Sequence, residues 1–146
     1  MIEFRFENLR LDGEALHTDW DVLLRLVADF SIVAPPAPIP LYQEEEFCVV
    51  EFAMQMTQWL ANLHRHPTDF SYNSMESDET GLVSIHKQQN GWKVGALHQD
   101  YSEDRLFSLE EIESVVAAFV ARLKDEVREK FRHDISHLVS GGPIVL

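Results

Sequence analysis

Alternation of apolar and polar residues predicts strands in two parts of the chain. Residues 2–6 alternate apolar and charged side chains, as in a strand with one buried face. The same period returns in a strand near residues 70–76 and in a hairpin over residues 82–98. Asn90-Gly91 divides this last stretch, and Asn-Gly favours a two-residue hairpin turn because both residues tolerate positive φ.

A two-residue turn at Asn90-Gly91 fixes the expected register of the hairpin. Gln89 would face Trp92, Lys87 would face Val94, Ile85 would face Ala96, and Val83 would face His98. The side chains expected on the core face are Val83, Ile85, Trp92, Val94 and Ala96.

Apolar spacings of three and four predict helices. The first is expected from Trp20 to Phe30, with Thr18 or Asp19 as its cap. The second is expected over residues 43–64, with its amino terminus at the triplet 44–46 of glutamates, where the helix dipole stabilises anions.

A third helix has the clearest pattern. Ser108 and Glu111 form a capping box at its start, and an apolar stripe follows from Ile112 to Val127.

The predicted fold class is therefore α+β, with an antiparallel sheet packed against about three helices. A length of 146 residues fits a single domain, 1–146. A proline-rich connector occupies residues 34–40, and residues 138–146 form a tail expected either to be mobile or to dock as a short strand.

Charge is the most informative part of the composition. The chain has 25 acidic and 12 basic residues, for a net charge of −13. Nine acids and one base lie between residues 26 and 86, a net of −8, so the negative field belongs to the middle of the chain. Such a field repels nucleic acid and anionic lipid and favours a basic partner. Acidity that serves only solubility is the alternative.

The sequence has no convincing motif for catalysis, metal binding or phosphate binding. His133 and His137 are four residues apart as in a helical zinc motif, but Asp134 is shorter than the usual glutamate and no third ligand follows at a recognised spacing. No phosphate-binding glycine loop and no Gly-x-Ser-x-Gly elbow occurs. Cys48 lies between apolar residues, as expected of a buried hydrophobe. We expect no enzyme activity, no cofactor and no metal, although catalytic residues that meet only in the fold leave no local motif.

The best candidate for binding is an acidic segment before the hairpin. Glu76, Asp78 and Glu79 supply negative charge, and Tyr72 or Met75 supplies a hydrophobic anchor for a protein partner. An ordinary strand followed by a solvated loop is the alternative.

Four stretches carry a family resemblance: Asp69-Phe70-x-Tyr72-x-Ser74-Met75-Glu76, Gly81-Leu82-Val83, Gly91-Trp92-x-Val94-Gly95, and the last helix from near Leu109. Over residues 47–131 the chain resembles a poorly characterised family of small acidic bacterial proteins that look like immunity proteins encoded beside polymorphic toxins. The resemblance implies a noncatalytic cytoplasmic protein that neutralises a toxin, often a basic nuclease, by covering its site.

The expected function is therefore an immunity protein that binds a basic toxin domain. The alternatives are a small regulatory protein-binding domain, an acidic mimic of nucleic acid, or an enzyme with a nonlocal site. The start of the chain lacks the pattern of a signal peptide, and its most apolar segment is too polar to span a membrane. A cytoplasmic protein that binds neither membrane nor nucleic acid is expected, with its oligomeric state undetermined by sequence.

Overall fold

The computed structural model describes residues 1–144 and has an α+β fold. In chain order its elements are β1 (Glu3–Leu11), α1 (Asp19–Arg25), β2 (Leu26–Val33), β3 (Tyr42–Phe47), α2 (Val49–Asn62), β4 (Phe70–Ser71), β5 (Val83–Gln88), β6 (Gly91–Ala96) and α3 (Leu109–Phe131). Both sheets are antiparallel, and their strand orders are β1-β2-β3 and β4-β5-β6. The predicted class is confirmed, but the strands form two sheets where one was expected.

Aromatic side chains from both sheets and both long helices meet in one core. Phe52 of α2 lies at their centre, with its ring centroid 5.7 Å from that of Phe4, 5.8 Å from that of Phe119 and 6.2 Å from that of Phe70. Such edge-to-face pairs add roughly 0.5–1.5 kcal/mol each beyond burial of their area. Helix α2 therefore joins the first sheet, the second sheet and α3.

Both helix caps expected from the sequence are present. Thr18 and Asp21 form a capping box at α1, and Ser108 and Glu111 form one at α3. Acidic residues open α3 and basic residues close it, as the helix dipole favours.

The first helix is shorter than predicted, because it ends at Arg25 and the chain continues as β2. Val27 and Phe30 fit a helical spacing, but Ala28, Phe30 and Ile32 also alternate and are all buried. Pairing with both β1 and β3 decides between the two patterns, since β2 is the central strand and gains hydrogen bonds on both edges.

The second helix begins later than predicted, at Val49, and the glutamate triplet lies on β3. The loop that contains the proline connector brings Tyr42 opposite Ile32, so this stretch completes the first sheet. The glutamates therefore do not stand at a helix amino terminus.

The hairpin register differs by two residues from the prediction. Gln88 faces Gly91 and Ile85 faces Val94, so the turn is Gln89-Asn90. Gly91 starts β6 with φ of 149°, where an added Cβ would lie 3.0 Å from Leu106 Cβ. Because the shift is two residues, the predicted faces are kept.

Burial on the hairpin and on the strand before it follows the predicted alternation. Trp92 and Ile85 are buried as expected. Phe70, Tyr72 and Ser74 are buried in turn, although the β4 ladder covers only Phe70–Ser71.

An ion pair between a buried glutamate and a partly exposed arginine links the proline connector to the loop after β6. Glu103 is 7% exposed, and its carboxylate lies 2.8 Å from the Arg105 guanidinium. Arg105 also donates to the carbonyls of Ala34 and Pro35. The hydrogen bonds from Arg105 lower the pKa of Glu103 to about 2.

The end of the chain packs on the domain as far as the structure describes it. Leu138 and Val139 are buried, and Ile144 packs against the core. The last two residues of the predicted tail, 145 and 146, lie outside the described residues. In the described part of the chain, no helix combines the length and apolar character needed to cross a membrane.

Candidate partner-binding groove

The structure separates the residues predicted to bind a partner into buried and exposed groups. Glu76, Asp78 and Glu79 are exposed, and Met75 is 66% exposed. Tyr72 is 1% exposed and belongs to the core. Of the two suggested anchors, Met75 is therefore the one that presents its side chain to the surface.

Helix α2 holds the acidic segment in place through a buried carboxylate. Glu51 is 2% exposed and accepts hydrogen bonds from the Tyr72 hydroxyl at 2.7 Å and from the Met75 backbone N–H at 3.0 Å. Burial, and then the charge of Glu51, raises the pKa of Tyr72 far above its usual value. One helical turn later, Gln55 donates to the Asn73 carbonyl at 2.9 Å. These contacts fix the entry to the acidic segment.

Side-chain oxygens order the rest of that segment. The Ser74 hydroxyl accepts from the Glu76 N–H and the Ser77 hydroxyl from the Glu79 N–H, both at 3.1 Å. The Asn73 side-chain oxygen accepts from the Gly81 N–H at 2.8 Å. Such local bonds are typical of ST and Asx turns, so the glutamates project from a defined backbone.

The glutamate triplet on β3 faces this segment across a cleft. The register of β3 against β2 shifts between Phe30 and Ala28, which makes a bulge at Glu45 and Glu46. Glu46 has φ of 54°, in the left-handed region that costs a non-glycine residue about 1–2 kcal/mol. Residues of this bulge and of the acidic segment line one cleft.

We call the resulting cleft, of about 290 Å³, the acidic groove. Five glutamates contribute to its lining, and no lysine or arginine of the described chain does. They are Glu44, Glu45, Glu46, Glu76 and Glu79. Asp78, although it belongs to the same segment, does not line the groove.

One histidine stands at the groove beside these carboxylates. The His98 Nε2 atom lies 2.6 Å from a Glu79 carboxylate oxygen, and both side chains are about half exposed. An exposed pair of this kind contributes at most about 1 kcal/mol to stability. The groove therefore keeps a strong excess of negative charge.

Tyr42 and Cys48 also line the groove. Burial and the neighbouring Glu44 and Glu79 raise the pKa of Tyr42. Burial and the charges of Glu51 and Glu76 raise the pKa of the Cys48 thiol to about 12. At neutral pH the phenol and the thiol are both protonated, so Cys48 supplies no thiolate nucleophile here. The chemistry that the groove offers is cation binding by carboxylates.

The metal candidates from the sequence do not assemble. His137 is 3.0 Å from an Asp19 carboxylate oxygen, on α1, in an exposed pair. Within residues 1–144, no group of three or more histidine, cysteine, aspartate or glutamate side chains is arranged to hold a metal ion.

Sequence reasoning missed half of the groove. The run of glutamates predicts a helix terminus, and no pattern in the sequence marks Tyr42. The density of acids in the middle of the chain indicates the right region, but it does not indicate that residues 44–46 and 76–79 meet. No local pattern marks Glu51 either, because its partner Tyr72 is 21 residues away.

Comparison with known proteins identifies a family and nothing more specific. A comparison with the curated proteins finds no match, and neither does a comparison with the solved structures. The family described as "Domain of unknown function (DUF7878)" matches residues 2–129, which include both sheets, α1, α2 and all but the last two residues of α3. The chain belongs to this family.

Proposed function

We propose that this chain is a noncatalytic inhibitor that binds a basic protein toxin through the acidic groove and acts as its immunity protein in the bacterial cytoplasm. The observation that carries the proposal is the groove itself: five glutamates from two chain segments line one cleft, and no lysine or arginine among residues 1–144 lines it. Acidic residues scattered over the surface would be enough for solubility. Their clustering in one groove favours a cationic partner.

Electrostatics supports a protein partner with a basic surface. Clustered charges of one sign speed association with a partner of the opposite sign, and they repel phosphate-bearing ligands. The ordered backbone of the acidic segment reduces the entropy lost on binding, since Glu76 and Glu79 are already held by the serine turns.

An exposed apolar side chain, that of Met75, lies next to the charged residues in the sequence. Met75 is exposed, while its backbone N–H is held by the buried Glu51 carboxylate. Methionine adapts its shape to a partner surface and makes favourable contacts with aromatic rings. We assign Met75 as the hydrophobic anchor of the interface.

The inhibitory role itself is supported by the resemblance over residues 47–131 to proteins that look like immunity proteins. An acidic mimic of nucleic acid is a second candidate, favoured by the same charge. It differs in its range of partners, because a mimic competes with DNA for several basic proteins, whereas an immunity protein binds one toxin.

Protection in cells tests the proposal. The protein encoded beside this gene is expressed from an inducible promoter, together with this chain or its variants. The wild-type chain should restore growth, and the double variant Glu76→Lys with Glu79→Lys should fail to do so while remaining folded by circular dichroism.

The matched control is Glu113→Lys with Glu129→Lys, which reverses two exposed charges on α3 outside the groove. It should protect like the wild type. Growth that is not restored by the wild-type chain, or equal protection by both double variants, would contradict the proposal.

A further inference from the structure

We propose that the acidic groove is a receptor for one cationic side chain of the partner, an arginine in preference to a lysine, and that the Tyr42 hydroxyl is one of the groups that bind it. This inference rests on the proposed function and names the chemistry that its groove recognises. It goes beyond charge attraction, because it assigns a defined site and a neutral residue within it.

The Tyr42 hydroxyl is the observation that points to a ligand. Tyr42 is 1% exposed and lines the groove, yet within residues 1–144 its hydroxyl makes no hydrogen bond. Every fully sealed polar side-chain atom in the described chain has a partner. The small exposed part of Tyr42 is therefore its hydroxyl, and this opens into the groove.

A phenol in such a place ordinarily has a partner. Buried tyrosines usually place their hydroxyl in a hydrogen bond, because an unpaired buried polar group costs free energy. Tyr72, on the other side of the groove, follows this rule through Glu51. Tyr42 makes no such bond within residues 1–144, and its hydroxyl is the part of the side chain left open, so a donor that enters the groove can reach it.

The protonation state of Tyr42 suits a cation. Burial together with Glu44 and Glu79 keeps the phenol protonated at neutral pH. Its oxygen can accept an N–H from a bound cation, while its O–H can donate to a neighbouring carboxylate. A cation would thus be bound by neutral and charged oxygens together.

Shape and donor count favour a guanidinium. Arginine has five N–H donors in a planar fork that pairs bidentately with carboxylates, and it is more weakly hydrated than lysine. The groove has acceptors on two walls, from β3 and from the acidic segment, which a compact ammonium with three donors contacts less fully. Its 290 Å³ lies at the lower limit of the roughly 300–1,000 Å³ typical of ligand clefts, so one side chain fits better than a nucleotide.

Nuclear magnetic resonance tests the site with small probes. The ¹⁵N-labelled full chain is titrated with N-acetyl-L-arginine amide, and separately with the corresponding lysine amide, with spermidine, and with N-acetyl-L-citrulline amide, which has the shape of arginine without its charge. Saturable shifts at residues 42–46 and 74–79 are expected with the arginine probe and not with citrulline.

Tyr42→Phe separates binding from folding. It removes only the hydroxyl, which has no hydrogen bond to lose, so the melting temperature should not fall. The affinity for the arginine probe should weaken about tenfold or more, because the variant removes one hydrogen bond to a charged group, and tenfold corresponds to about 1.4 kcal/mol. Glu79→Gln should weaken it as well.

Several results would overturn the inference: no saturable shift with arginine, equal shifts with citrulline, tighter binding of lysine or spermidine than of arginine, or unchanged affinity in Tyr42→Phe. These outcomes are distinct from failure of the proposed function. Partner neutralisation that depends on Glu76 and Glu79 without arginine binding would leave the proposed function and refute this site. Arginine binding that depends on Tyr42, without neutralisation of any partner, would support this site and refute the proposed function.

Discussion

Glu51→Leu should show how far one buried carboxylate holds the acidic segment in place. The substitution removes the acceptor of two hydrogen bonds, from the Tyr72 hydroxyl at 2.7 Å and the Met75 N–H at 3.0 Å. Leaving a buried donor unsatisfied costs about 1–3 kcal/mol. Leucine fills much of the space, and Tyr72 keeps a weaker contact of 3.4 Å with the Cys48 carbonyl. The expected loss of unfolding free energy is therefore about 2–5 kcal/mol.

A double-mutant cycle isolates the side-chain pair. Tyr72→Phe alone should cost about 1.5–3 kcal/mol, because it takes a donor from the carboxylate. The double variant Glu51→Leu with Tyr72→Phe should cost less than the sum, with a coupling of about 1–3 kcal/mol, because two apolar groups replace two polar ones. Urea unfolding followed by circular dichroism measures all three free energies.

The control is Gln55→Leu, one turn after Glu51 on α2. Gln55 bonds the Asn73 carbonyl from a partly exposed position, so its loss should cost below about 1 kcal/mol. Strictly additive effects of Glu51 and Tyr72, or a Glu51→Leu variant as stable as Gln55→Leu, would refute the reasoning that this buried contact anchors the segment.

Further substitutions test three other parts of the account. Hydrogen bonds from Arg105 lower the pKa of Glu103 from 4.5 to about 2, so this contact stabilises the fold above about pH 4.5, and the stabilisation is lost as the pH falls toward 2; urea unfolding of wild type and Glu103→Gln should differ most near neutral pH and converge near pH 2. Glu46→Gly relieves the positive φ, so its melting temperature should equal or exceed that of the wild type, whereas Glu44→Gly should lower it. Trp92→Ala should lose about 3–5 kcal/mol through cavity formation, and an unchanged melting temperature would show that this side chain is not part of the core.

Local patterns in the sequence predict the elements whose contacts are local. The capping box at Ser108 and the stripe from Ile112 to Val127 define α3, and alternation defines β1 and the faces of the hairpin. These features depend on neighbours a few residues apart, which a single sequence records directly.

The errors occur where tertiary pairing chooses between two permitted patterns. The stretch Leu26–Val33 fits a helix and a strand, and its position between β1 and β3 selects the strand. The glutamate triplet suits a helix terminus equally well, and only its pairing with β2 places it on β3. Long-range hydrogen bonding overrides local preference at both places.

In the candidate site, too, local features could be predicted from the sequence and long-range contacts could not. Exposure of Glu76, Asp78 and Glu79 could be expected from a polar segment rich in serine. The meeting of Glu76 and Glu79 with Glu44 could not, because more than 30 residues separate Glu44 from either of them in the sequence. The role of Asp78 outside the groove is likewise visible only in three dimensions.

Association kinetics test most directly whether the acidic groove is the interface. Surface plasmon resonance measures binding of the identified partner to the wild type, to Glu76→Lys with Glu79→Lys, and to the α3 control Glu113→Lys with Glu129→Lys, at several salt concentrations. Asp78→Lys provides a second control within the acidic segment but outside the groove lining.

Salt should slow the wild-type association, since the Debye length contracts to about 8 Å at physiological ionic strength. We predict that reversing Glu76 and Glu79 slows association at low salt by about tenfold or more and removes most of its salt dependence. Asp78→Lys and the α3 variant should have much smaller effects. Equal slowing by the groove variant and the α3 control would show that net charge alone steers the partner, and would contradict the assignment of the acidic groove as the binding site.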